Sequence, residues 1–354
     1  MPVIEPAVRT AADRLTAFAE DAFCAVGVPG ADARTIADAL VDADLRGVHS
    51  HGVRWIPRYV ASLRAGSTNP RPNVQVIVDG GTTAVTDGDL GQGHVVAAAA
   101  NDIAVERALE HGMGAVALRR STHCGAMAYY TNRAAARGCI GFASTNGNAN
   151  MAPTGGTSRL IGNNPLAYSF PTRQGFTFAL DMATSVVAGS RLLMAIERGE
   201  NIPTGWAVDG RGQPTEDPRA WRERDGLLLP IGGAKGYGLA VVLDVLCGVL
   251  SGGHFGAQRS EPGSTDTSQF FLAIRIDQFM PLERFLDRMD ALIEQIRSSE
   301  VAPGSPGVFL PGEMEHNQKQ ERLVNGVPLD LKTVEALERI RQELGLDSLF
   351  AERP

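Results

Sequence analysis

Three histidines stand where proton chemistry can occur. His49 and His51 flank Ser50 in a short polar break, and His123 lies in the run Arg-Ser-Thr-His-Cys-Gly. Imidazole titrates near neutrality, so each can move a proton, ligate a metal or simply bond to backbone. The His-Ser-His pair offers two metal ligands, but spacing alone supplies no complete set around them. A metal-dependent hydrolase or lyase on His49, His51 and Asp44 therefore stands as the rival reading. Arg54, Arg58 and Tyr59 follow His51 closely, offering a carboxylate two-point donors beside a titrating group. His123 follows the strand-like AVALRR and precedes a stretch rich in small residues. Ligands gather in such strand-to-helix loops, and reduction of a carbonyl by hydride needs a proton donor of this kind.

Three further segments carry weaker signals. Asp181 ends the apolar run ALDMATS, where a carboxylate can orient a histidine, bind a ribose hydroxyl or cap the next segment. Lys235 sits in PIGGAKGYG, with glycines on both sides that let backbone approach a ligand closely; an ordinary turn before a buried helix accounts for it equally well. Pro311, Gly312 and Glu313 form a short turn motif. No GxGxxG loop, no GxxxxGK[ST] loop and no GxSxG elbow occurs, and the glycines of GDLGQGH do not fit the first of these. Spacing alone thus gives no nucleotide-binding signature.

The elements that must position these residues are legible in part. Leu15, Phe18 and Ala22, with Phe23 beside them, predict one helix; a second is expected over 33–46, stopped by Gly47. Val74, Val76 and Val78 alternate before Gly80-Gly81, which predicts a hairpin. AVALRR, IGFAST, LAYSF, FTFALDMAT and FFLAIRI read as strands, with helices expected over 97–110 and 126–137. Amphipathic helices are expected through Leu282, Phe285, Met289, Leu292 and Ile296, and through Val334, Leu337, Ile340 and Leu344. The pattern is an α/β domain over 76–277, with 1–75 and 278–354 folding together as one helical module.

With 354 residues, 44% hydrophobic and 21% charged, the chain can bury a large core. Its net charge of -7 and lack of a basic block argue against nucleic acid as a partner. Four scattered cysteines without a CxxC pair argue against a disulfide framework or a structural zinc site. The start of the chain lacks an apolar signal core, and Gly238 to Leu250 is too short to span a bilayer. A cytoplasmic protein without membrane contact is expected.

Taken together, several long segments resemble the malate/L-lactate dehydrogenase family of the non-Rossmann type, whose members include ureidoglycolate, sulfolactate, diketogulonate and piperideine-2-carboxylate enzymes. The resemblance runs through DLRGVHSHGV, STHCGAMAYY, MAPTGGTSRLIGNNPLAYSFP, LDMATS, IPTGWAVDGRGQPTEDP, LLPIGGAKGYGLAVVLDVLCG and FLPGEMEHNQKQERLVNGVPL. It implies a mixed-sheet NAD(P)-binding domain, which accounts for the missing GxGxxG, and a homodimer with the site near the subunit boundary. It implies a hydride transfer between NAD or NADP and a small 2-hydroxy or 2-oxo carboxylate, with reduction of a cyclic imino acid as the alternative. His123 and His51 fall on its two histidines, with Asp181 as the third catalytic candidate. Ser50, Arg54, Arg58 and Tyr59 fall on the substrate side. Cofactor contacts fall on Asn146, Gly147, Asp181, Met182, Ala183, Thr184, Lys235, Gly236, Pro311, Gly312 and Glu313. Two departures stand out: Trp55 occupies a position where similar enzymes often carry the substrate arginine, and Gly147 one where they often carry serine.

Overall fold

A computed structural model of the chain describes residues 7–223, 225–261 and 266–350. The outermost parts of the expected terminal module, 1–6 and 351–354, lie outside that range.

The chain opens with strand β1 (Val8–Thr10) and helices α1 (Ala12–Cys24) and α2 (Gly30–Leu45). Leu15, Phe18, Ala22 and Phe23, whose spacing predicts α1, are among the residues it buries. Two one-turn segments, His49–His51 and Val53–Trp55, lead into α3 (Ile56–Arg64). The expected hairpin is β2 (Gln75–Asp79) with β3 (Thr83–Asp87), but alternation gives β2 no buried face. It is the sheet's outer strand, and Val76 and Val78 stay exposed.

Next come α4 (Gly93–His111), β4 (Met113–Ser121), α5 (Ala128–Ala135) and β5 (Cys139–Thr145). Short strands β6 (Ala149–Met151) and β7 (Ile161–Gly162) precede β8 (Leu166–Phe170) and β9 (Phe178–Met182). A small subassembly follows: α6 (Gly189–Arg198), β10 (Ala207–Val208), β11 (Pro214–Thr215), α7 (Pro218–Glu223) and β12 (Leu227–Leu228). The greasy stretch forms α8 (Ala234–Asp244), which widens into a π turn at Val245–Val249. Among the described residues no helix is long and apolar enough to cross a membrane. The chain ends with β13 (Thr267–Arg275), α9 (Leu282–Arg297), α10 (Glu313–Asn325), β14 (Val327–Leu329) and α11 (Leu331–Leu344).

Seven strands form one sheet in the order β2-β3-β4-β13-β5-β8-β9. Only β3 and β4 run parallel; every other neighbouring pair is antiparallel. A Rossmann sheet is parallel with crossover helices, so this mixed α/β sheet is a different architecture, as expected. Side chains alternate across β13. Phe271 joins Val96, Ala100 and Tyr130 under α4 and α5, whereas Phe270 and Leu272 meet Phe142 and Leu243 of α8 on the opposite face.

The two ends of the chain share one core. Leu15, Phe23, Ile36, Leu40 and Ile56 pack with Val327, Leu329, Leu337 and Ile340, and β1 pairs antiparallel with β14. Helix α9 packs elsewhere, setting Ile293 against Phe176 and Leu310 beside β9. Helix α10 buries no residue fully, so no apolar period announces it.

Candidate active site

His51 and His123 come together across the chain. Their rings stack with centroids 5.6 Å apart and planes 16° from parallel. His51 is delivered by the turn after α2, where Ser50 Oγ meets its Nδ1 at 2.9 Å. His123 is delivered by the loop between β4 and α5. The Tyr59 hydroxyl of α3 lies 2.5 Å from His123 Nδ1. Trp55 stacks on His123 with centroids 4.6 Å apart, and its Nε1 donates to the Ser50 carbonyl at 2.5 Å. One indole thereby braces both histidine-bearing turns. The Arg58 guanidinium sits 5.0 Å from the Trp55 ring centroid, in range of a cation–π contact.

Electrostatics keep these rings neutral. Burial pushes His123 well below its usual range, and His51, His94, Arg58 and Arg259 add to that push. Burial also lowers His51, while the Asp181 carboxylate opposes it. Burial raises Tyr59 well above 10, so its phenol keeps its proton. Asp181 itself is raised by burial, against backbone N–H bonds from Ala128 and Met127. Its side chain is nonetheless exposed to solvent, as a group lining a cleft is. Among the described residues Asp181 does not cap the segment that follows it; the contact observed is to α5, earlier in the chain. Ala128 N donates to Asp181 Oδ2 at 2.8 Å, fixing the start of α5 and with it the His123 loop.

The first turn of α4 is the other clamp on that loop. Gly93 N donates to Thr122 Oγ1 at 2.8 Å, and Thr122 Oγ1 donates to the Gly91 carbonyl at 3.1 Å. A Cβ on Gly93 would collide with the carbonyl oxygens of Thr122 and His123. His94, fully buried, stands edge-on to Tyr59 with centroids 5.5 Å apart. Burial, helped by His51, drives its pKa down to about 3. The GQGH turn thus supports the reacting loop, a role its glycine spacing did not disclose. Arg259 likewise carries no local signal in the sequence. It reaches the Asp266 carbonyl and Thr267 Oγ1 from a largely buried position.

His49 takes no part in the pair. Its Nδ1 meets Asp44 Oδ1 at 2.8 Å and its Nε2 meets Arg322 Nη1 at 2.9 Å. Asp44 Oδ2 accepts from Val53 N at 2.7 Å. These bonds commit the donors that a metal site would need. Among the described residues, no three His, Cys, Asp or Glu side chains are grouped to hold a metal ion.

The residues implied for a cofactor divide by surroundings. Asn146 is buried and fully engaged: it donates to Asp244 and the His254 carbonyl and accepts from Ser268 N. Gly147 N donates to Asn164 Oδ1, and Thr184 is buried with an unpartnered hydroxyl. Met182 and Ala183 are half-buried beside Asp181. Gly232 and Gly233, at φ 60° and 63°, turn the chain into α8, where Lys235 is exposed and Gly236 is pressed against Ile231. Gly312 docks on β9; a Cβ there would sit 2.6 Å from the Thr177 carbonyl oxygen. Glu313 accepts from Arg297 Nη2 at 2.7 Å and Leu310 N at 3.0 Å, which closes the turn.

The family model for malate/L-lactate dehydrogenase matches residues 10–338. The chain belongs to the malate/L-lactate dehydrogenase family. A malate dehydrogenase of Pyrococcus abyssi is 39% identical over 98% of both chains. An L-sulfolactate dehydrogenase of Methanocaldococcus jannaschii is 38% identical over 91% of this chain and 93% of its own. The solved malate dehydrogenase of Pyrococcus horikoshii superposes with a TM-score of 0.89 at 37% identity, covering 98% of this chain and 99% of that one. Membership makes this chain an oxidoreductase with a mixed-sheet fold that others in the family share.

Proposed function

We propose that this chain is an NAD(P)-dependent dehydrogenase of small 2-hydroxy acids, with His123 exchanging the proton. The observation that carries the reading is the Tyr59–His123 bond inside a cluster of stacked, neutral rings. The working tautomer of His123 keeps its proton on Nδ1, donated to Tyr59 Oη, so Nε2 is free to take the hydroxyl proton of the substrate. In reduction the same nitrogen returns it. Arg58 is the carboxylate partner in this reading, because its charge acts on both His123 and Tyr59. A bound carboxylate cancels that charge and raises the proton affinity of His123 when substrate is present. His51, held by Ser50, packs against His123 and excludes water from one side of it.

The chain suits a nicotinamide dinucleotide. The start of α8 offers backbone N–H groups and the exposed Lys235 to a pyrophosphate. Asp181, whose charge acts on His51, lies with Met182 and Ala183 at the end of β9, and the Pro311–Gly312 turn docks on the same strand at Ala179. The nicotinamide supplies or accepts the hydride.

The chain acts as a homodimer in this reading, supported by an exposed apolar strip of Val242, Val245, Val249 and Leu250, of which Val245 and Val249 share a groove with Phe255. A reducing, cytoplasmic setting fits the free Cys24, Cys124, Cys139 and Cys247. The test is NAD(P)H absorbance across a panel of 2-oxo acids and cyclic imines, each with both cofactors. Turnover of a 2-oxo acid is expected; turnover of imines alone, or of nothing on the panel, would overturn the reading.

A further inference from the structure

A cavity of about 200 Å³ lies where three parts of the chain meet, behind Ser50. The turns after α2 contribute His49, Ser50 and Arg54; the start of α6 contributes Ser190, Arg191 and Met194; the start of α11 contributes Asp330 and Thr333. Neither His51, His123 nor Tyr59 lines it. Pockets for drug-sized ligands run to roughly 300–1,000 Å³, so this one suits a smaller molecule.

Its wall carries two carboxylates and two guanidiniums, and they differ in whether they are partnered. The carboxylates in the wall are already engaged: Asp44 with His49 and Val53 N, and Asp330 with Thr333 N at 2.7 Å. The guanidiniums of Arg54, half-buried, and Arg191, exposed at the cavity's rim, have no hydrogen-bond or ion-pair partner among the described residues. Thr333 is only 8% exposed, lines the cavity, and has no hydrogen bond to its hydroxyl. Helix α6 begins at the same wall behind Ala188, which has no side chain to cap its free N–H groups. Two unpartnered guanidiniums, the Thr333 hydroxyl and an uncapped helix start are donors that the engaged carboxylates of the wall leave unused.

We infer that this cavity is a binding site for a small oxyanion, a carboxylate or phosphate, separate from the reacting centre. The oxyanion takes two-point bonds from Arg54 and Arg191 and a third from Thr333 Oγ1. Ser50 links the two places: it lines the cavity and bonds His51 Nδ1, so an occupant is felt at the histidine pair.

Calorimetric titration of the full chain at low salt, with inorganic phosphate and separately with malonate, tests this without any turnover. One anion per chain is expected for at least one of the two, and which one binds identifies the source of the oxyanion. Arg191→Gln should weaken binding about tenfold or more and Thr333→Val several-fold, with melting curves showing both variants folded. No saturable binding by either anion, or affinity unchanged in both variants, overturns the inference. So does a substrate KM that rises in Arg191→Gln as much as anion affinity falls, since the cavity would then belong to the substrate site. The anion titration stands whether or not the proposed reaction holds.

Discussion

The Tyr59 hydroxyl stands 2.5 Å from His123 Nδ1, although 64 residues separate the two in the chain. The contact fixes which ring nitrogen is left for chemistry, and it gives the imidazolium a partner in a site with little water. Tyr59→Phe keeps the ring packing but removes the oxygen. A loss of about 1–2 kcal/mol of transition-state stabilisation is expected, or roughly 5- to 30-fold in kcat. Steady-state kinetics measure it, and an unchanged kcat would remove Tyr59 from the mechanism.

The two histidines should separate by magnitude. His123→Ala deletes the group that moves the proton, so turnover should fall by about 10²–10⁴. His51→Ala opens one side of the stack without removing the acid, and its loss should be clearly smaller. Single-turnover rates on a working substrate compare them. A larger loss for His51→Ala would reverse the assignment.

His123 lies well below its ordinary pKa in the free protein, chiefly because it is buried. Oxidation needs it unprotonated, so kcat/KM in that direction should hold its full value down through about pH 6.5. Reduction needs it protonated, so kcat/KM should fall about tenfold per pH unit across the neutral range. A reduction profile that stays flat up to about pH 8 would assign the acid to another group.

His94 links pH to stability. Its folded pKa of about 3 lies below the ~6.5 of an unfolded histidine. Between those values the unfolded chain binds a proton that the folded one refuses. Stability is therefore lost as pH falls below about 6.5, by up to ~1.4 kcal/mol per unit. His94→Gln should remove that share of the slope, as urea titrations between about pH 7 and 5 would reveal. Parallel slopes in the two proteins would mean that His94 takes up its proton without unfolding.

Asp181 should act through the start of α5. Asp181→Ala leaves Ala128 N without an acceptor, for an expected loss of about 0.5–2 kcal/mol and a mispositioned His123. Asp181→Asn keeps an oxygen there and should melt close to the parent. If both variants melted alike, the cap would have no structural weight.

Much of this site could be read from residue types, because histidine, arginine and tyrosine are conspicuous wherever they stand near one another in sequence. Strands with β-branched and aromatic runs were equally legible, and so were helices with an apolar stripe. What escaped depends on distant partners. Nothing local says that β13 inserts between β4 and β5, or that β1 finds β14. His94 carries no local sign of its role, because the GQGH glycines fit no phosphate loop and Gly93 instead serves contact with Thr122 and His123. Trp55 was visible only as a missing arginine; its brace between Ser50 and His123 needs the third dimension. Asp181 has three roles open to it from sequence, and its bond to α5, 53 residues earlier, is a further one that no local signal gives.

The pairing of Val8 with Leu329 carries a cost in time. Helices α1 to α3 are made first, but the core they begin is completed by Val327, Leu329, Leu337 and Ile340. During synthesis their apolar faces must wait, unshielded, until Val327 to Ile340 have left the ribosome, while the sheet between them can already assemble. Joining distant ends adds only about 0.6 kcal/mol per doubling of loop length, so the finished protein hardly registers the delay. A nascent chain does. Fragments ending before Val327 should keep a protease-resistant sheet while α1 to α3 are digested, and early removal of both regions together would show that they fold as one.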